Sequence, residues 1–272
     1  MNARLLSALL AAICCAGGRE AAMADGDAAP VPEFPWAQYG LTPSTSPACI
    51  PTARTDWAVS YHEAMLKREP REGVKLVFLG DSITMMWRTQ SGYEGGTPVW
   101  DQHYAALPAA NFGISGDRTE QLLWRITEGR DLDGLSPKVL ILLVGINNLL
   151  QRQDTPAQVA EGTASIVGFL RRQLPETRIL LLGIFPCWER PEDPARAWVK
   201  QTNALTKPLA DGKRVWFLDI GGKFLEPDGT IRKEKLRDML HPSEIGYRIW
   251  ADAMAPYLKD LLEGDGQGDV WK

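Results

Sequence analysis

Apolar positions fall into short continuous runs separated by longer stretches of helical periodicity. Runs at 74–79, 108–113, 138–144, 178–185 and 215–220 are rich in Val, Leu, Ile and Phe, the second of them being the weakest. Such runs predict strands covered on both faces, as in a parallel sheet. Ahead of the first run, Trp57, Tyr61 and Met65 recur at four-residue spacing and predict a helix. Thr155 before Pro156, and Asp193 before Pro194, each read as a helix N-cap followed by proline in the first turn. A last helix begins near Pro242, with Ile245, Ile249, Ala253, Tyr257 and Leu261 along one stripe and a kink at Pro256. Regular alternation of strand and helix predicts an α/β fold, a three-layer α/β/α sandwich around a five-stranded parallel sheet.

Composition refines the boundaries. The chain has 272 residues, 44% of them hydrophobic, enough for one full core. Residues 1–24 read as a signal peptide: Arg4 in a short basic start, an apolar run from Leu5 to Ala16 too short to span a bilayer, and Ala22-Met23-Ala24 as a cleavage site. Export follows from that pattern, to the periplasm or beyond. A lipid anchor at Cys14 or Cys15 ranks below simple cleavage, because Ile13 and Cys14 are poor residues to precede a lipidated cysteine. Residues 25–52 hold six prolines, from Pro30 to Pro51, and read as an extended lead; the domain proper spans 53–263, and 264–272 is a loose tail. Cys49 and Cys187 remain after cleavage, and the sequence leaves open whether they pair. A formal charge of -4 without a basic stripe excludes the usual nucleic-acid binder. No apolar run calls for a transmembrane segment, and the oligomeric state is not legible.

The stretch VKLVFLGDSITMMW, residues 74–87, passes from strand to helix through Gly80, Asp81 and Ser82. In open α/β sheets ligands bind beyond the carboxyl ends of strands, so Ser82 stands where such folds do their chemistry. Taken alone, a nucleophile and a helix cap fit it equally. A nucleophilic serine needs a base, and three histidines are present. His62 lies on the first predicted helix, at the surface or core edge, and His103 sits in a polar loop near Asp101. His241 has Asp238 three residues before it, a spacing at which a carboxylate can hold one ring nitrogen while the other faces a serine. Donors for an oxyanion would come from two further strand ends: the backbone N–H of Gly116 in NFGISGDRT, and the amide of Asn147 in LLVGINNLL, with Asn148 beside it. Each of these has a bland reading as a turn or cap, but their recurrence at successive strand ends does not.

In order and spacing, GDS at 80–82, the loop ending at Gly116, GINN at 145–148 and DMLH at 238–241 resemble the blocks of the SGNH (GDSL-type) hydrolase superfamily, and especially its branch of platelet-activating-factor acetylhydrolase catalytic subunits. The resemblance covers about residues 55–262. It implies a flavodoxin-like fold, Ser82 as nucleophile, His241 as general base and Asp238 as the acid that orients it. It also implies an oxyanion hole from the Ser82 N–H, the Gly116 N–H and the Asn147 side chain, supported by Asp81 and Asn148, with no metal and no cofactor. Ile146 departs from the pattern, since threonine is frequent there.

No GxSxG elbow, P-loop, HExxH or CxxC motif competes. Trp87, Trp100, Trp124 and Trp188 fall near strand-end loops and offer apolar or sugar-stacking walls, although core packing is the commoner fate of tryptophan. With no amphipathic lid or exposed apolar segment to suit a long chain, a short acyl group, acetyl foremost, on a carbohydrate or small alcohol leads. A lipid-directed acylhydrolase with the same triad is the alternative, and a non-catalytic flavodoxin-like binding module the remote one.

Overall fold

Each of the five apolar runs contains a strand. The computed structural model describes residues 44–88, 95–264 and 266–271, all within the compact unit Phe34–Lys272. The signal-peptide pattern and residues 25–43 of the proline-rich lead lie outside the described residues. Helix α1 (Ala58–Arg68) precedes β1 (Leu76–Gly80), followed by α2 (Ser82–Met85), α3 (Thr97–His103) and β2 (Ala109–Gly113). Next come α4 (Thr119–Thr127), β3 (Val139–Leu143), α5 (Pro156–Gln173) and β4 (Arg178–Leu182). The chain continues through α6 (Pro194–Thr206), β5 (Val215–Leu218) and α7 (Glu244–Glu263). All strands pair in parallel, in the order β2-β1-β3-β4-β5. The connection from β1 runs to β2 at one edge and that from β3 runs to β4 toward the other, which opens a crevice between the carboxyl ends of β1 and β3.

The sheet is apolar on both faces because alternate strand residues feed two cores. Leu76, Phe78, Ile141 and Leu180 pack with Trp87, Trp250 and Met254 on one side. Val77, Leu79, Leu140 and Ile179 pack with Met65, Leu122, Ile166 and Leu170 on the other. Fully burying one such leucine or phenylalanine contributes about 1.5–3 kcal/mol. Thr155 and Asp193 cap α5 and α6 as expected, with Pro156 and Pro194 in the first turns.

Several expectations change. The buried face of α7 is Tyr247, Trp250, Ala251, Met254, Leu258 and Leu261, so the predicted stripe shares only Leu261, and Ile245 is 54% exposed. Counting aliphatic residues misplaced that face, because two amphipathic aromatics carry its burial. Trp57, 49% exposed, precedes α1, whereas Met65 is fully buried. His103 ends α3 instead of lying in a loop. Cys49 and Cys187 are both buried free thiols, not a disulfide. The end of the lead folds into a short turn (Pro47–Cys49), and the Ala48 carbonyl accepts a hydrogen bond from Thr119 Oγ1 at 2.8 Å.

Of the segment read as a loose tail, residues 266–271 are packed: Trp216 Nε1 donates to the Gly266 carbonyl at 3.0 Å and Trp271 Nε1 to Asp260 Oδ2 at 2.8 Å. No helix among the described residues is long and apolar enough to cross a membrane.

Candidate active site

The strand ends are level: Gly80 pairs with Gly113 of β2 and with Leu143 of β3. A Cβ on Gly80 would lie 2.2 Å from the Leu143 carbonyl oxygen and 2.3 Å from Thr84 Oγ1. Glycine is therefore required there for close approach, and that approach lets α2 fold directly onto the strand ends. Asp81, not Ser82, caps α2, its Oδ1 accepting from the Ile83 N–H at 3.0 Å. The cap reading of Ser82 is thereby excluded.

Ser82 Oγ lies 2.9 Å from His241 Nε2, although 159 positions separate them in the chain. His241 Nδ1 lies 2.7 Å from Asp238 Oδ2. Asp238 also shapes the loop that carries the histidine, since its Oδ1 accepts from the Leu240 N–H at 3.1 Å and the His241 N–H at 2.7 Å. This turn forces Met239 to φ +64°, a left-handed conformation that costs about 1–3 kcal/mol in a residue with a side chain. The loop after β4 braces it: Trp188, itself at φ +65°, donates its N–H to the Met239 carbonyl at 2.8 Å.

Ser82 and His241 are buried, at 3% and 9% exposure, while the Asp238 side chain remains 39% exposed. Burial by itself would raise the Asp238 carboxyl, but the His241 ring and the two loop N–H groups outweigh it and hold the group down at about 2. The carboxylate is therefore charged throughout the neutral range, and its bond to Nδ1 keeps the proton there, leaving Nε2 as an acceptor for the Ser82 hydroxyl. Asp81 behaves oppositely. Complete burial, reinforced by the charge of Asp117, pushes it up to about 7, only partly offset by the Ile83 N–H and Arg125. Keeping it buried thus becomes more costly as pH rises from about 4 through about 7.

The expected oxyanion donors stand beyond the neighbouring strand ends. Gly116, after β2, has φ +82°, which favours glycine. Asn147, after β3, is 4% exposed; its Oδ1 accepts from Gln151 Nε2 at 2.8 Å, so the amide nitrogen points the other way and donates to the Asp117 carbonyl at 2.9 Å. An amide nitrogen carries two N–H bonds, and the second finds no acceptor among the described residues. Asn148 ties the loops together, accepting from the Thr119 N–H at 2.9 Å and donating to Asp154 Oδ2 at 2.9 Å.

Sequence reasoning missed a buried ion network beneath this site. Arg125 of α4, 2% exposed, donates Nη2 to the Gly80 carbonyl at 3.0 Å and Nη1 to the Phe112 carbonyl at 2.9 Å. It also pairs with Asp117 at 2.7 Å and Asp131 at 2.5 Å. One guanidinium thus links the Gly80–Ser82 turn, the end of β2 and the loop after Gly116. Asp117 receives Arg54 as well, at 3.0 Å, and its carbonyl is the one that holds Asn147. His62 is buried and bonds Asp131 at 2.7 Å, so it belongs to this network. A signal existed: Arg125 interrupts the apolar face formed by Leu122 and Ile126, and a charge in that position calls for a buried partner.

Of the tryptophans considered as walls, Trp87 and Trp100 are core residues at 0% and 4% exposure. Trp124 and Trp188 are partly buried, Trp124 packing edge-on against His62. Among the described residues no group of three or more His, Cys, Asp or Glu side chains is placed to hold a metal ion.

Comparison with known proteins adds four observations. Residues 78–249 match the family described as GDSL-like Lipase/Acylhydrolase. The rat platelet-activating factor acetylhydrolase IB subunit alpha1 is 32% identical over 233 residues, covering 84% of this chain and 95% of that protein. Among solved structures, a GDSL-like lipase from Bacteroides thetaiotaomicron superposes with a TM-score of 0.60 at 19% identity, covering 75% of this chain and 98% of that one. An acetyl xylan esterase superposes with a TM-score of 0.57 at 23% identity, covering 67% and 98%.

Proposed function

Because the chain belongs to the GDSL-like lipase/acylhydrolase family and is with it an ester hydrolase, we propose that it is an exported serine esterase that removes short acyl groups, acetyl foremost, from carbohydrate or other small ester substrates. The observation that carries this reading is the hydrogen-bonded relay from Ser82 Oγ through His241 to Asp238. Ser82 Oγ attacks the ester carbonyl as its proton passes to His241 Nε2, and the carbonyl oxygen takes up the negative charge. Collapse of the adduct breaks the C–O bond to the alcohol, which leaves with the proton from Nε2. Water then attacks the acyl-enzyme, again giving a proton to His241, and the acid departs as Ser82 recovers its own. The N–H groups of Ser82 and Gly116 and the Asn147 amide receive the oxyanion in both halves.

Asn147→Ala is expected to lower kcat by about 10² to 10³, the usual effect of losing one oxyanion donor. Steady-state kinetics check it, and an unchanged kcat would remove Asn147 from that role.

A lipid-directed acylhydrolase is the second reading, and the rat relative's name couples an acetyl group to platelet-activating factor. The experiment that separates the two is a series of p-nitrophenyl esters from acetate to decanoate, set beside acetylated xylooligosaccharides and an acetylated phospholipid. The proposal expects kcat/KM to fall steeply beyond butyrate and the sugar acetate to be turned over faster than the phospholipid. A maximum at long chains would refute it.

A further inference from the structure

Helix α2 is only four residues long, and its end is tightened. Met85 N donates to the Asp81 carbonyl at 2.8 Å and Met86 N to the Ser82 carbonyl at 3.0 Å, but Trp87 N turns to the Thr84 carbonyl at 3.2 Å. The carbonyl of Ile83, one residue beyond Ser82 and 1% exposed, is thereby passed over by the backbone ladder. A buried carbonyl without a donor costs about 1–3 kcal/mol. Its donor comes from the other end of the chain: Tyr247 OH, 2.7 Å away.

Tyr247 lies six positions after His241, in the first turn of α7. It is fully buried, with its ring 4.5 Å from that of Trp87 and 6.0 Å from that of Trp250. A Cβ on Gly96 would come within 2.8 Å of the ring, so the backbone there packs directly against the base of the phenol. Burial also raises its ionisation well above the ordinary value, keeping the O–H a donor across the working pH range. The nucleophile turn is consequently held on both flanks, by Arg125 at the Gly80 carbonyl and by Tyr247 at the Ile83 carbonyl. Only the second bond joins it to the element that follows the histidine.

We infer that Tyr247 is a positioning residue, whose hydroxyl sets the separation between the Ser82 hydroxyl and the His241 imidazole by tying the nucleophile turn to the start of α7. The inference rests on the reading of those two residues as nucleophile and base. A bland reading competes with it, in which the bond only satisfies a buried phenol.

Tyr247→Phe removes one oxygen and distinguishes them. A misplacement of reacting groups of about 1 Å costs up to about 10² in rate, so kcat for p-nitrophenyl acetate is expected to fall about ten- to a hundredfold with KM within twofold. The rate of Ser82 labelling by a fluorophosphonate should fall in parallel. Thr177→Val is the control: Thr177 donates a buried hydrogen bond of the same length, 2.7 Å, to the Pro137 carbonyl at the opposite end of the sheet. It should lower Tm comparably while leaving kcat and labelling unchanged. If Tyr247→Phe is unfolded in plain buffer, both variants are assayed in 1 M sucrose, which favours burial without supplying a donor. Equal kcat in Tyr247→Phe and wild type, or an equal loss of kcat in Thr177→Val, overturns the inference. A wild-type protein that neither hydrolyses the ester nor takes the label would instead overturn the esterase mechanism itself.

Discussion

Ser82→Ala is expected to reduce ester hydrolysis by about 10⁶, and His241→Ala by a similar factor, because the members of a serine relay act as one unit. The hydroxyl and the imidazole are useless apart: an unactivated serine is a weak nucleophile at neutral pH, and an imidazole with no serine to deprotonate has only water to act upon. Removing either oxygen or ring should leave the protein folded, since the two sheet cores do not depend on them. The measurement is p-nitrophenyl acetate turnover beside a thermal melt. An alanine variant at position 82 that keeps its fold and more than a hundredth of wild-type activity would rule out the covalent mechanism.

Asp238→Asn should cost about 10³ in kcat, somewhat below the ~10⁴ seen where such an aspartate is fully enclosed. The amide offers an N–H where the carboxylate offered an acceptor. The ring then reverses its tautomer and presents a donor instead of an acceptor to Ser82. The partial exposure of Asp238 lets water recover some of the loss. A second consequence concerns acid stability. The carboxyl is held at about 2 in the folded chain against an ordinary value of 3.8, so its stabilising contribution is present above about 4 and is lost as pH falls toward about 2. The Asn variant should lack that portion of the acid transition, as pH titrations of Tm would report. An unchanged kcat would take Asp238 out of the relay.

How far the sequence carried this reading depends on the range over which each signal acts. Strands covered on both faces produce unbroken apolar runs, so all five were visible, including β2, whose Ala109-Ala110-Asn111 start weakened it. The DMLH turn was visible because its contacts span three residues. The meeting of Ser82 with His241 was not a local signal, and only the co-occurrence of four motifs pointed to it. Arg125 left a mark, as a charge within an apolar face, but its reach to the Ser82 turn and the Tyr247 bond did not, for a different reason. Their partners there are the backbone carbonyls of Gly80, Phe112 and Ile83, which leave no mark on the identity of the residues that present them. The misplaced face of α7 reflects the ambiguity of Tyr and Trp, which any apolar count ranks below Ile although each buries more surface.

The distance of 159 positions between Ser82 and His241 also orders events in time. A ribosome has made all five strands and the whole turn that carries Ser82 before it reaches His241, the residue that would give that turn its reactivity. An unfinished chain is therefore harmless to every ester around it, and the appearance of catalysis during synthesis would serve as a clock for the docking of the last helix.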